Sequence, residues 1–300
     1  MRFNVSEVID YDNCPTLHRL RWLEKKGSPS IFALDLGTAV HKSLRQIILG
    51  EARDKVEDLV GKTISSKDLN QARAMDIILD HWATVPRTWE VLESEEVMEI
   101  EVMDDEGRPF ILYGTPDLVV KWGGKTWHVQ HKTLAATRPV WTYVQEIRCS
   151  LHEGLYGEMI ERKYGNYAGT MLNVVRKISL SAASINPSSG MHMEFMPISS
   201  SLRSSVIEDL KLRKNDLERS YNDPGRYTYK RRKHCMGVYG NSPCFYYETC
   251  HGSRPGSLGK GDAKPAWPSP EVAAPVGPKP DDIGNLFIEG QDFGGEPVGW

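Results

Sequence analysis

The sequence predicts a chain of mixed α-helices and β-strands, and three observations carry that expectation. Apolar residues recur at helical spacing before and after the centre of the chain, as in Val40, Leu44, Ile47 and Ile48. Between residues 97 and 131 the pattern alternates instead, punctuated by the turn signals Asp104-Asp105-Glu106-Gly107 and Gly123-Gly124. Thr170 to Lys177 and Met191 to Ile198 again read as strands.

In chain order, Asn4 to Glu24 starts as a helix capped by Ser6, breaks at Cys14-Pro15 and resumes with basic and aromatic residues. Leu36 to His41 enters the next helix, with His41 in its first turn, and Lys67 to Trp82 forms another. Val97 to Met103, Phe110 to Lys121 and Thr126 to His131 then form a three-stranded antiparallel meander. Val140 to Tyr164 reads as one helix, which packs Cys149 into the core, and Ser201 to Tyr221 as a charged amphipathic one.

Composition narrows the class. Three hundred residues suffice for one large domain, no apolar run reaches the length of a membrane span, and the first residues form no apolar signal region. A cytoplasmic protein without a membrane partner is the expectation. Net charge is -3, but the tail from Gly252 holds four Lys/Arg and seven Asp/Glu, leaving 33 of each sign before it. A neutral body does not exclude a nucleic-acid partner, because acids gathered at one place and basic groups along a groove balance in the total. The tail is rich in Pro, Gly, Ala and Ser and ends in acidic residues with spaced aromatics, so it is expected to be disordered. It is either a docking peptide for a protein partner or an untethered terminus. The domain boundaries that follow are 1–251 and 252–300.

The chemistry centres on Asp117, in Gly114-Thr115-Pro116-Asp117, and Lys132, in Gln130-His131-Lys132. A hairpin at Gly123-Gly124 brings the two onto neighbouring strands, where a carboxylate for a divalent cation and a lysine for the attacking water are what phosphodiester hydrolysis requires. Alone, the pair equally describes a hairpin with Asp117 capping a turn and Lys132 in solvent.

Upstream lies Gly37-Thr38-Ala39-Val40-His41, and downstream His152 and Tyr156 share one helix face at i and i+4. In this order the elements resemble the PD-(D/E)xK nuclease superfamily, and within it the RecB-type branch, with its Gly-Thr-x-x-His, Gly-x-x-Asp, acid-x-Lys and Gln-x-x-x-Tyr elements. Two positions depart from that pattern: Gln130 stands for the acid and His152 for the glutamine.

The resemblance implies an α/β fold with a restriction-endonuclease-like core, a central mixed sheet flanked by helices. It implies that His41, Asp117, Gln130 and the main-chain carbonyl of His131 hold Mg2+ or Mn2+, that Lys132 assists the water, and that His152 and Tyr156 approach DNA. An amide oxygen binds a cation without a carboxylate's charge, so either a weakened or manganese-preferring site or a DNA-binding module without catalysis follows. Glu95, Glu96, Glu99 and Glu101 are either a replacement carboxylate or a solvated strand face.

Of the five cysteines, Cys235, Cys244 and Cys250 fall close together, and Cys14 is the candidate fourth ligand. One N-terminal and three C-terminal cysteines resemble the iron-sulfur members of the branch, among them CRISPR-associated adaptation nucleases, where a [4Fe-4S] cluster ties the two ends of the domain together. Spacing leaves zinc and free buried thiols open. Such a staple would place Lys230, Arg231, Arg232 and Lys233 beside the groove as a phosphate patch, unless that run is only a solvated loop. The expected function is a stand-alone DNA exonuclease of phage or bacterial type, acting on single-stranded or free-ended DNA in recombination, repair or replication. The alternative is an iron-sulfur DNA-binding module recruited through its tail.

Overall fold

The computed structural model describes residues 1–26, 32–60 and 65–223, with Cys244, Tyr246 and Cys250. The chain divides into Met1–Arg254 and Pro255–Trp300, and the second unit lies outside the described residues, as do Cys235 and the Lys230 to Lys233 run.

Strand β1 (Arg2–Asn4) leads into α1 (Val5–Asn13). Asn4, not Ser6, is the cap: its side chain accepts from the Ser6 amide at 2.8 Å, and Glu7 reaches back to the Asn4 amide. At Cys14 the backbone turns extended, and α2 (Pro15–His18) restarts with proline at its first position, where no amide proton is needed, before a π-helical turn over Arg19–Leu23. Helices α3 (Phe32–Leu49), α4 (Val56–Leu59) and α5 (Ser66–Thr84) follow. His41 therefore lies well inside α3, because the apolar face extends back through Leu36.

The strands are β2 (Glu90–Ser94), β3 (Met98–Met103), β4 (Pro109–Gly114), β5 (Leu118–Trp122) and β6 (Lys125–Ala135). Residues 110–121 are thus two strands in two different sheets, not one arm of a meander. Pro116 has no amide for a ladder, and a Cβ on Gly114 would lie 2.9 Å from both the Tyr156 hydroxyl and Val5 Cγ2, so the chain leaves one sheet there and joins the other. Helices α6 (Val140–Arg148) and α7 (Leu151–Tyr164) replace the single helix expected, with Ser150 capping α7. Cys149 caps α6 between them and is exposed rather than core. Then come β7 (Tyr167–Lys177), α8 (Leu180–Ile185), a 3-10 turn at Pro187–Gly190, β8 (Met191–Pro197) and α9 (Ser200–Asn222).

The smaller sheet has the order β1-β4-β3 and the larger β2-β5-β6-β7-β8. In the larger sheet β6 and β7 run parallel and the other pairs antiparallel. A parallel pair needs a long crossover, which α6 and α7 supply. Val175 of β7 joins Leu36, Val40 and Leu44 of α3 and Met75, Ile78 and Leu79 of α5 in one core. Leu134, Leu172 and Val174 pack on the opposite face against Val144 and Ile147 of α6. The central sheet is therefore mixed and covered by helices on both faces. The smaller sheet packs against α1, α7 and α9 through residues such as Phe3, Phe110, Leu155 and Leu210. No helix among the described residues is long and apolar enough to cross a membrane.

Candidate active site

Strand β6 sorts its residues between two faces. Gln130 and Lys132 share the face of Leu172 and Val174, whereas His131 shares the α3 and α5 face with its partner Asn173. Asp117 arrives from the loop between β4 and β5, and His41 from α3. The structure brings His41, Asp117, Gln130, His131 and Lys132 together although the sequence spreads them over ninety-two positions.

Asp117 is the centre. Its Oδ2 accepts the His131 amide proton at 2.8 Å, and its Oδ1 lies 3.7 Å from His41 Nδ1. Burial works to raise this carboxyl, but His41, with His131 and Lys132, outweighs it and holds the group well below the usual carboxylate range. His131 is buried, its Nδ1 accepting from Asn173 Nδ2 at 3.1 Å, with its ring edge-on to His41 and Trp82. Burial pushes that imidazole down to about 3 against the pull of Asp117. Lys132 is half-buried and makes no ion pair among the described residues, leaving its ammonium available to a substrate.

The loop that carries Asp117 is clamped from α7. The Tyr156 hydroxyl accepts from the Thr115 amide and donates to the Thr115 carbonyl, both at 3.1 Å. Tyr156 is 4% exposed, so of the pair expected to meet DNA it is His152 that opens outward. The His152 and Tyr156 rings pack edge to face at 4.7 Å.

The donor set suits a hard divalent cation. The 3.7 Å between His41 Nδ1 and Asp117 Oδ1 exceeds a hydrogen bond, and atoms that share an ion at about 2.1 Å each lie roughly 3–4 Å apart. Gln130, the residue before His131, faces His152 Nδ1 at 3.3 Å with one end of its amide, and the other end is buried without a hydrogen-bond partner among the described residues. Among the described residues no three His, Cys, Asp or Glu side chains are arranged to hold a metal ion, so a cation at Asp117 and His41 would draw its remaining contacts from the main chain, water and a bound substrate. Of the acidic run that offered either a replacement carboxylate or a solvated strand face, Glu95 pairs with Arg45 at 3.5 Å, Glu99 pairs with Arg2, and Glu96 and Glu101 are exposed.

Sequence reasoning passed over Glu153, a fully buried carboxylate of α7 flanked by His128, His152 and Thr170. The available signal was its place on the apolar face of a helix, in line with Tyr156 and Ile160.

Away from this site, Cys14 is buried with Leu17, Leu20 and Tyr246, and Cys244 and Cys250 pack on the same cluster. Burial raises the Cys244 thiol, with a backbone hydrogen bond at Tyr246 opposing and Cys14 adding to the shift. The Tyr246 hydroxyl donates to the Lys26 carbonyl, fastening this C-terminal segment to the N-terminal helices.

No curated protein matches the chain. Among solved structures it is similar to a candidate exonuclease from Eubacterium rectale, at 11% identity and a TM-score of 0.48, covering 84% of this chain and 88% of that one. It is also similar to SSO0001, at 10% identity and a TM-score of 0.37, covering 72% and 76%. The family model of the PD-(D/E)XK nuclease superfamily matches residues 2–250, a span that contains His41, Asp117 and Lys132 and both sheets. The chain belongs to the PD-(D/E)XK nuclease superfamily.

Proposed function

We propose that the protein is a divalent-metal-dependent DNA exonuclease. The observation that carries this reading is the convergence of His41, Asp117 and Lys132 at one end of the β5 and β6 pair, with the Asp117 carboxylate held ionised. Mg2+ or Mn2+ bound there would supply positive charge to the phosphate and lower the pKa of the attacking water. Asp117, His41 and the main-chain oxygen of His131 are the groups that would hold it. The His131 amide keeps Asp117 aimed by its bond to Oδ2, and the Tyr156 clamp on Thr115 fixes the loop behind it. Lys132 orients the water and offsets charge that develops on the phosphate. His152, partly exposed beside Tyr156, would meet the DNA strand.

The cysteines support a second element of this reading, a [4Fe-4S] cluster on Cys14, Cys235, Cys244 and Cys250. Three of the four gather at one place, between the N-terminal helices and the C-terminal segment, where four thiolates would staple the two. Zinc accepts the same ligands. Lys230, Arg231, Arg232 and Lys233 precede those cysteines in sequence and would extend a phosphate-binding surface, with the acidic aromatic tail left for a protein partner.

Gln130 favours one other reading, a DNA-binding module without hydrolysis, because it leaves the cation a single carboxylate, Asp117. Incubating linear and covalently closed DNA, single- and double-stranded, with Mg2+ or Mn2+ separates the two. An exonuclease degrades only ends, and Lys132→Ala abolishes this while retaining binding. Equal activity of wild type and Lys132→Ala sinks the mechanism. Anaerobic purification with an absorbance spectrum and metal analysis tests the cluster, and a colourless zinc protein refutes it.

A further inference from the structure

Strand β6 passes into α6 through a short turn that carries charge the metal-binding residues leave unused. The Arg138 amide donates to the Ala135 carbonyl at 3.0 Å, and α6 then starts behind Pro139. From Lys132 to Arg148 the chain holds Lys132, Arg138 and Arg148 against one acid, Glu146. Arg176 of β7 adds a guanidinium to the turn by donating to the Ala136 carbonyl. In a chain of net charge -3 this is a local excess of positive charge, and it follows directly on Lys132.

Tyr143 stands beside that turn. Helix α6 buries Val144 and Ile147, and Tyr143 packs at the rim of the cluster that these two form with Leu134, Leu172 and Val174. Val174 is the register partner of Lys132, and Leu134 is the next residue of β6 on the same face as Lys132. Tyr143 and Lys132 therefore border one patch of the sheet. The Arg138 guanidinium carbon lies 4.9 Å from the centre of the Tyr143 ring, and a nitrogen of the same group pairs with Glu146. Arg138 and Glu146 are 40% and 54% exposed, so this guanidinium is within reach of a bound strand.

The Tyr143 hydroxyl makes no hydrogen bond among the described residues and is not shut off from water. Burial pushes the phenol up, Arg138 pulls it down, and Glu153, Glu146 and Asp117 push it up further. It keeps its proton at neutral pH and is available as a donor. An open hydroxyl donor beside a guanidinium matches the oxygens of a phosphate, since bonds that end on an anion are about twice as strong as neutral ones.

We propose that Tyr143 and Arg138 bind a backbone phosphate of the DNA strand, the hydroxyl and the guanidinium each donating to one of its oxygens. This rests on the nuclease reading above and adds a substrate contact to it. Glu146 holds the guanidinium in the free protein and yields it to the phosphate, one anion replacing another, while stacking on the ring keeps Arg138 oriented through the exchange.

The test titrates a single-stranded oligonucleotide onto the full-length Lys132→Ala protein, which holds the strand without cutting it, at salt concentrations from about 50 to 200 mM. Arg138→Met keeps an apolar stem over Tyr143 and is expected to lower the slope of log K against log salt by about 0.7, the value of one phosphate contact on a single strand. Tyr143→Phe keeps the ring and is expected to weaken binding about ten-fold. Its urea midpoint is expected to stay in place, because the lost hydroxyl had no partner to leave behind. Glu146→Gln frees Arg138 and is expected to tighten binding about two-fold, a gain that disappears in the Arg138→Met background. An unchanged salt slope in Arg138→Met overturns the proposal, as does unchanged binding in Tyr143→Phe. A Tyr143→Phe protein that loses stability together with binding makes the tyrosine structural and overturns it too. A Lys132→Ala protein that binds no oligonucleotide at the lowest salt refutes the nuclease reading itself, and the proposal with it.

Discussion

Tyr156 on α7 holds both main-chain groups of Thr115, its hydroxyl 3.1 Å from the amide nitrogen and 3.1 Å from the carbonyl oxygen. The next residue but one is Asp117, so a helix positioned by the core sets where the site's carboxylate stands. Tyr156→Phe removes both bonds and is expected to cost about 1–2 kcal/mol of stability. It should also lower kcat by loosening the Asp117 loop. Gly114→Ala is expected to be worse, because its Cβ meets the same hydroxyl and Val5 at 2.9 Å. Urea unfolding orders the variants, and a Gly114→Ala protein as stable as wild type contradicts the clamp.

Asp117→Asn retains an acceptor for the His131 amide but surrenders the charge that would hold the proposed cation. Hydrolysis is expected to fall by at least about 10²-fold, with folding and DNA binding retained. Steady-state kinetics beside a binding titration tests this. If binding is lost together with cleavage, the residue is holding DNA or the fold and not the reaction.

The buried His131 ties stability to pH. The unfolded chain takes up its proton as pH falls through the ordinary histidine value of about 6.5, while the folded imidazole does so only at about 3. The stabilisation is complete above the higher value. Each pH unit below it withdraws about 1.4 kcal/mol, until the folded group titrates. Asp117, held low in the folded state, adds a further loss below about pH 4 for the same reason of sign: the unfolded chain protonates first. Urea midpoints taken in chelator should drop between pH 7 and pH 5, and His131→Gln should flatten that dependence whatever its absolute stability.

Gly169 lies where β7 meets β8 with φ of 150°, and a Cβ there would stand 2.1 Å from the Met196 main-chain oxygen. Gly169→Ala is expected to lose more than about 3 kcal/mol, since backbone and not a flexible side chain blocks it. Its neighbour Gly165, with open space around its Cβ position, is the control for a positive-φ glycine without a clash. Thermal melts of the two alanine variants separate strain from collision.

The amino-acid pattern alone determined most of the helices and the strands β6, β7 and β8, because local periodicity and turn residues are properties of neighbouring positions, whereas the superfamily was legible through the resemblance of its motifs. His41, Asp117 and Lys132 were legible as a set only through resemblance, since no spacing rule links α3 to β6. Tertiary structure decided the rest. The break between β4 and β5 depends on Tyr156, forty-one residues from Thr115, and a reader of residues 110–121 meets only an alternating run. Cys149 looked apolar enough for a core and fell at a helix end, exposed. Glu153 is the clearest case. Its charge survives in the interior only because His128, His152 and Thr170 converge on it from β6, α7 and β7, and no stretch of sequence contains that meeting.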